Sequence, residues 1–316
     1  MVAKIFIDGE AGTTGLQIRE RLAGRRDLEV LSISADKRKD QDERKRLLNA
    51  ADVAILCLPD EAAKESVSLI ENGTTRVIDA STAFRVDPDW AYGFAEMDKG
   101  QSAVIANARF VSNPGCWPQG LIGTVRPLIE AGLLPADFAI SYNGITGYSG
   151  GGKQMIAEYE AEGDAASHFM PYGLTFNHKH VPEMTKYTGL VAAPLFVPTV
   201  GDFAQGMTTF VPLQLGGLAR VPTGRALHTA IADHFAAIKD SFVMVAPYEE
   251  TAKTPALDPQ AHNDTNTMTL HVFANDARAQ AVLVAVYDNL GKGASGAAVQ
   301  NLNLMLGVSA RESLAA

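Results

Sequence analysis

Cysteine is almost missing from this sequence: there are two in 316 residues, Cys57 and Cys116. Two thiols cannot build a disulfide framework, so the fold must rest on its core. Cys57 lies in "VAILCLP", an apolar run that reads as a buried strand, and Cys116 is then a free thiol in a reducing compartment. Long hydrophobic runs are also missing. None approaches the ~18 residues of a membrane helix. The first, Ile5 to Ile7, is far shorter than a signal-peptide core and leads straight into a glycine turn. These absences predict a cytoplasmic protein with no membrane partner. A basic surplus is the third absence: Lys and Arg number 27 against 36 Asp and Glu, a formal charge of -9. Such a chain has no excess cations with which to neutralise phosphates, which excludes nucleic acid as the main partner. Local sites for one small anion remain allowed.

What is present suits a large buried core, with 47% hydrophobic and 20% charged residues. The length suits two domains or one large α/β unit. Over the first 110 residues or so, strand and helix signals alternate. "KIFIDG", "LEVLSIS", "DVAILCLP" and "RVIDAS" read as strands, the third apolar throughout, as when both faces are covered. "TTGLQIRERLAG" reads as a helix with Gly24 just past its end. "EAAKESVSLIEN" reads as another, capped by Asp60 and stopped by Gly73. Strands spaced by helices imply parallel βαβ units in a doubly wound, Rossmann-type sheet. "QGLIGTVRPLIEAG" looks helical with a kink or break near Arg126, because Pro127 lacks the N–H that a helix interior uses. "FAISYNGITGYSGGGK" is a strand ending in a glycine-rich loop. Strand signals dominate from about residue 190 to 290, which predicts a second, α+β domain with a mixed sheet. "GKGASGAAVQNLNLMLG" closes the chain with a glycine turn and an apolar helix. The expected division is a nucleotide domain over 1–115, completed by 296–316, and a second domain over 116–295.

"GEAGTTG" sets Gly9, Gly12 and Gly15 between a strand and a helix, with Thr13 and Thr14 opening that helix. Backbone amides and a helix N-terminus there can face an anion. The spacing is GxxGxxG rather than the commoner GxGxxG, and the strand–turn–helix setting is what points to a dinucleotide. Asp36 stands where an acidic residue would bind a ribose 2′-hydroxyl, but Lys37 and Arg38 beside it would attract a 2′-phosphate. The expected cofactor is NADP(H). The rest of the charged run from 36 to 46 reads as a solvated helix or loop.

Cys116 sits in "SNPGCWPQG", among residues that bend the backbone. Pro118 looks like the first turn of a helix, so the thiol would feel the positive end of a helix dipole, which favours the thiolate. "NHKHVPE" is the notable histidine pair. In an extended segment His178 and His180 point the same way, one as general acid–base and the other orienting substrate. No further Cys/His cluster supplies a full ligand set, so no metal is expected. His228 and His234, in an apparent helix, read as surface or packing residues. Arg85, just after a strand of the first domain, is placed where ligands bind in such sheets, and its guanidinium suits a phosphate.

Six segments together, "DGEAGTTG", "VIDASTAFR", "SNPGCWPQG", "GYSGGGK", "FNHKHVPE" and "GKGASGAAVQNLNLMLG", resemble the N-acetyl-gamma-glutamyl-phosphate reductase family in its shorter form, over essentially the whole chain. The resemblance implies NADPH-dependent reductive dephosphorylation of N-acetyl-L-glutamyl 5-phosphate to the 5-semialdehyde, in arginine biosynthesis, through a cysteine thioester. It implies the two-domain architecture of aspartate-semialdehyde and glyceraldehyde-phosphate dehydrogenases, and a homodimer or homotetramer. Cys116 then matches the nucleophile, and one of the "HKH" histidines the acid–base. Arg85, Asn113, Ser149 and Lys179 match substrate positions. Ser81, Gly293 and Asn301 match the cofactor's surroundings beyond the glycine turn. Trp117 departs from the tyrosine common in the longer form, but an aromatic is retained. The competing readings are aspartate-semialdehyde dehydrogenase chemistry, an NADP-binding redox sensor switching through Cys116, and a cysteine hydrolase.

Overall fold

The computed structural model describes residues 2–251, 253–254 and 256–316. Its contacts divide the chain into two compact units. One comprises Met1–Ala95, Gly100–Gly115 and Ala294–Ala315; the other comprises Glu96–Lys99, Cys116–Gly293 and Ala316.

In the first unit, strands β1 (Ala3–Asp8), β2 (Leu28–Leu31), β3 (Val53–Leu56), β4 (Arg76–Asp79), β5 (Ala91–Tyr92) and β6 (Phe110–Ser112) form one sheet in the order β2-β1-β3-β4-β6-β5. Every pairing is parallel. β3 is buried at all four positions, which explains its unbroken apolar run. Helices α1 (Thr13–Leu22), α2 (Gln41–Ala50), α3 (Asp60–Ser68) and α4 (Gln101–Asn107) connect the strands. The C-terminal helix, Gly296–Leu306, belongs to this unit: Ala298, Val299, Leu302 and Met305 share a core with Ile5, Ile7, Val53, Ile78 and Ile105.

Three local expectations change. "LEVLSIS" is a strand only over Leu28–Leu31. Asp60 does not cap α3 but is its first residue, after an N-cap at Pro59. Its carboxylate instead accepts from the Thr82 amide and hydroxyl, 2.9 and 2.6 Å away, tying the helix start to the segment after β4. Gly73 does not stop that helix either; α3 ends at Ser68, and Leu69 is its C-cap.

The second unit is built on a mixed sheet. Its strands are β7 (Ser141–Gly147), β8 (Phe169–Pro171), β9 (Leu195–Gly201), β10 (Met207–Gln214), β11 (Val243–Val245), β12 (Met268–Asn275) and β13 (Gln280–Tyr287). They lie in the order β11-β12-β13-β10-β7-β9-β8. The helices are α5 (Cys116–Glu130), α6 (Gly152–Glu162), α7 (Val181–Thr188) and α8 (Gly224–Ala236). Pro127 does not break α5, which runs through it to Glu130. Eleven residues of α5 are buried, and packing on β10, β13, α7 and α8 outweighs the one backbone bond that proline forfeits. The glycines after β7 form a tight turn, Tyr148–Gly151, that leads directly into α6 rather than an open loop. Among the described residues no helix is long and apolar enough to cross a membrane.

Candidate active site

In the first unit the candidate residues gather at the carboxyl edge of the parallel sheet. The turn after β1 needs its glycines for packing as well as for any ligand. Gly9 has φ +89°, and a Cβ there would lie 2.3 Å from the Cys57 carbonyl oxygen; one at Gly15 would lie 2.6 Å from the Gly9 carbonyl oxygen. Gly12 is the N-cap of α1 and brings no side-chain cap, so the first amides of that helix remain available to an anion. The Thr13 hydroxyl beside them is buried with no partner. An orphaned donor at an uncapped helix start fits a phosphate.

Next to this turn a cavity of about 460 Å³ is lined by Gly9, Glu10, Ala11, Ile33, Arg38 and Arg44, among others. Arg38 reaches Glu10 at 3.7 Å across it, and Arg19 also pairs with Glu10. Lys39, not Lys37, joins Arg38 in the lining; Lys37 lies exposed in the short turn Ala35–Lys37. The Asp36 carboxyl is held below its usual range by the Ser34 hydroxyl. The charged run is therefore not wholly a solvated face. Arg44 is buried and pairs with Asp8 at 3.1 Å and Glu65 at 2.8 Å, while its guanidinium also donates to the Ser66 hydroxyl. The signal was its spacing: Arg44, Leu47 and Leu48 share the inner face of α2.

Further along the same edge, Ser81 donates to Asp79 at 2.6 Å, and Arg85 is buried with its guanidinium donating to the carbonyls of Asn113 (3.0 Å) and Ala80 (3.1 Å). Asn113 donates to the Ala294 carbonyl at 3.0 Å and accepts from Asn301 at 3.1 Å. Arg85, Asn113, Ser81 and Asn301 are thus neighbours in space, as the sequence could not show. Burial pushes the Asp79 carboxyl up to about 6, against the Ser81 hydrogen bonds and the Arg85 charge. A carboxyl whose folded value exceeds its unfolded one holds its proton more tightly when native. It therefore adds stability below about pH 4, and this is lost as pH rises through about 6. The stability of the wild type relative to Asp79→Asn should fall between pH 4 and 7 in urea titrations. A difference that stays flat over that range contradicts the assignment.

In the second unit the site is built around the first turn of α5. Cys116 opens that helix and is half-buried. The Tyr287 hydroxyl donates to the Cys116 carbonyl at 2.7 Å, and the Tyr142 hydroxyl to the Trp117 carbonyl at 2.6 Å. Gly120 makes room for both: a Cβ there would meet each tyrosine oxygen at 2.9 Å. Burial raises the pKa of Tyr142 and Tyr287, and the Cys116 charge adds to the effect, so both phenols stay protonated donors. These tyrosines escaped sequence reading; their signal was an inward position on strands of the same sheet.

Trp117 links the cysteine turn to the histidines. Its indole N–H donates to the Tyr172 hydroxyl at 3.1 Å, and its ring packs edge-on against Phe196 at 5.3 Å. His178 in turn packs on Phe196 at 5.2 Å and Tyr172 at 5.8 Å. The "NHKH" segment is a turn, not an extended stretch, because His180 is the N-cap of α7 in helical conformation. The two imidazoles are nevertheless adjacent, 4.7 Å apart and edge to face. His180 N–H donates to His178 Nδ1 at 3.1 Å, which fixes His178 Nδ1 as an acceptor. His180 is buried, whereas Lys179 between them is exposed. Ser149 is buried and accepts from Asn289 at 3.0 Å. Gly293 lies against the nucleophile candidate: a Cβ there would come within 2.9 Å of Cys116 Cβ. His228 and His234 lie on α8, as expected, with His228 bonded to the Ala246 carbonyl at 2.8 Å.

Residues 4–105 match the semialdehyde dehydrogenase NAD binding domain, and residues 116–289 the semialdehyde dehydrogenase dimerisation domain. The chain is 67% identical to the N-acetyl-gamma-glutamyl-phosphate reductase of Chelativorans sp. (strain BNC1), over 97% of this chain and 99% of that protein. It is 66% identical to the one from Mesorhizobium japonicum, over 98% and 100%. This chain belongs to the N-acetyl-gamma-glutamyl-phosphate reductase family. Among solved structures, aspartate semialdehyde dehydrogenase II from Vibrio cholerae shares the fold, with a TM-score of 0.72 at 14% identity, covering 97% of this chain and 99% of that one. The Candida albicans aspartate semialdehyde dehydrogenase, solved with NADP, gives 0.68 at 13% identity and covers 98% and 99%. Family membership makes the glycine turn and the Cys116 turn the two places where a nucleotide and a nucleophile are expected.

Proposed function

We propose that this protein reduces N-acetyl-L-glutamyl 5-phosphate to N-acetyl-L-glutamate 5-semialdehyde with NADPH, releasing inorganic phosphate, as a cytoplasmic step of arginine biosynthesis. The observation that carries this reading is Cys116 at the start of a buried helix. The carbonyls of its first turn are clamped by two protonated tyrosines, and a histidine pair is reached through Trp117 and Tyr172. The Cys116 thiolate attacks the acyl carbon, the C–O bond to phosphate breaks, and a thioester remains. A thioester carbonyl accepts hydride more readily than an oxygen ester, which is the reason for sulfur here. When bound, NADPH supplies that hydride. The tetrahedral oxyanion then collapses, expelling the sulfur as thiolate and freeing the aldehyde. His180 is the acid–base and His178 its orienting neighbour, because His178 Nδ1 is already occupied by the His180 amide. Arg85, Asn113, Ser149 and Lys179 serve the substrate. Gly9, Gly12, Thr13, Thr14 and Gly15 would hold the pyrophosphate of a bound NADPH, Arg38 with Lys37 or Lys39 would meet its 2′-phosphate, and Ser81, Gly293 and Asn301 would complete the cofactor's surroundings. The working form is a homodimer or homotetramer.

The solved neighbours favour one alternative, the same chemistry on the shorter, unacetylated substrate of aspartate-semialdehyde dehydrogenase. Phosphate-dependent NADP+ reduction with each semialdehyde separates the two. The expected result is a kcat/KM at least about 100-fold higher with N-acetylglutamate semialdehyde. A preference for aspartate semialdehyde sinks the proposal, and no activity with either leaves the redox-sensor reading in its place.

A further inference from the structure

The second unit holds a fully buried lysine one residue before the glycine that packs on Cys116. Lys292 and Glu96 are each 1% exposed, and their Nζ and Oε2 atoms lie 2.6 Å apart. The other Glu96 oxygen accepts from the Phe242 amide at 3.2 Å, and the ammonium lies 5.9 Å from the Phe242 ring centroid. Taking two charges out of water costs free energy that their attraction only partly returns, and well-packed apolar substitutes are often as stable. The pair therefore has no evident stability rationale, and its geometry suggests another. Lys292 lies in the π turn Gly291–Ser295. Its carbonyl accepts from Gln119 on the first turn of α5 at 2.8 Å. The next residue, Gly293, donates to the Asp288 carbonyl at 2.9 Å and packs on Cys116 so closely that a Cβ would stand 2.9 Å from Cys116 Cβ and 3.4 Å from its Cα. The Cys116 side chain thus leans on backbone that the ion pair anchors.

We infer that Lys292 is a positioning residue: its buried pair with Glu96 fixes the turn whose Gly293 backbone sets the direction of the Cys116 thiol. The inference rests on the proposed role of Cys116 as nucleophile. Burial lowers the pKa of the ammonium, and Glu96 opposes that effect, in keeping with a retained ion pair. Misplacing a reacting atom by about 1 Å costs roughly 100-fold in rate.

The test uses the full-length enzyme in the phosphate-dependent direction, with Glu96→Leu/Lys292→Met as the apolar replacement and Glu96→Gln as a near-isosteric one. Expected is a kcat lowered about 100-fold with both KM values within about threefold. Iodoacetamide should still alkylate Cys116 at close to the wild-type rate, because the sulfur keeps its reactivity and loses only its aim. A folded double variant with near-normal kcat overturns the inference. So does a parallel collapse of kcat, alkylation and melting temperature, which marks a purely structural pair. Should the double variant not fold, Glu96→Gln decides by the same readouts, and failure of both to fold also counts against positioning. Cys116→Ser is the separate control: activity surviving there defeats the proposed function itself, whatever the Lys292 variants do.

Discussion

Cys116→Ser should lower phosphate-dependent turnover by at least about 10³-fold while NADPH binding, followed by nucleotide fluorescence, stays within about twofold. A serine hydroxyl is scarcely ionised near neutrality, and an oxygen ester would resist the hydride that a thioester accepts. The cofactor should be indifferent, since the glycine turn, the Thr13 hydroxyl and the 460 Å³ cavity all belong to the other unit of the chain. Tyr142 and Tyr287 bond main-chain carbonyls of the α5 turn, not the sulfur, so its geometry should survive the exchange. Stoichiometric alkylation of Cys116 should abolish activity in parallel. A serine variant with more than a tenth of the wild-type rate would end the covalent mechanism.

The second large effect is expected at the histidines, and it should be unequal. His180→Ala should reduce kcat by about 10²- to 10³-fold, the usual contribution of a positioned acid–base. His178→Ala should cost less, roughly tenfold, and act mainly on kcat, because its Nδ1 orders the turn that presents His180. His180 is also the N-cap of α7, but no side-chain cap bond is lost with the imidazole, so the fold should tolerate the change. Measured kcat and KM for both variants, with melting curves as control, decide the order. Equal losses, or a larger loss at His178, would reverse the assignment.

Cys57 shows how its surroundings make a thiol inert. It follows β3 between Asp8 and Asp79, and burial together with these carboxyls pushes its thiol up to about 12. It stays a protonated, unreactive thiol near neutrality. Its sequence context, an apolar strand, had already separated it from Cys116.

Local pattern carried much of the architecture. The apolar run of β3, the strand–glycine–helix entry at Gly9 and the alternation over the first 110 residues determined a parallel, doubly wound unit, because side-chain periodicity is set by nearest neighbours along the chain. The "HKH" spacing likewise anticipated two adjacent imidazoles, and Pro118 the helix start at Cys116. Three things depended on contacts between residues far apart in sequence, and these only the tertiary structure decided. Pro127 stays helical because the sheet and two helices bury the segment around it. Arg44 leaves the solvated run because Asp8 and Glu65 meet it from other elements. Nothing in the glycine turn marks out Lys292 until Glu96, 196 positions away, is found 2.6 Å from it. A buried ion or a prolonged helix is decided by partners, and partners separated by loops leave no periodic trace in the chain.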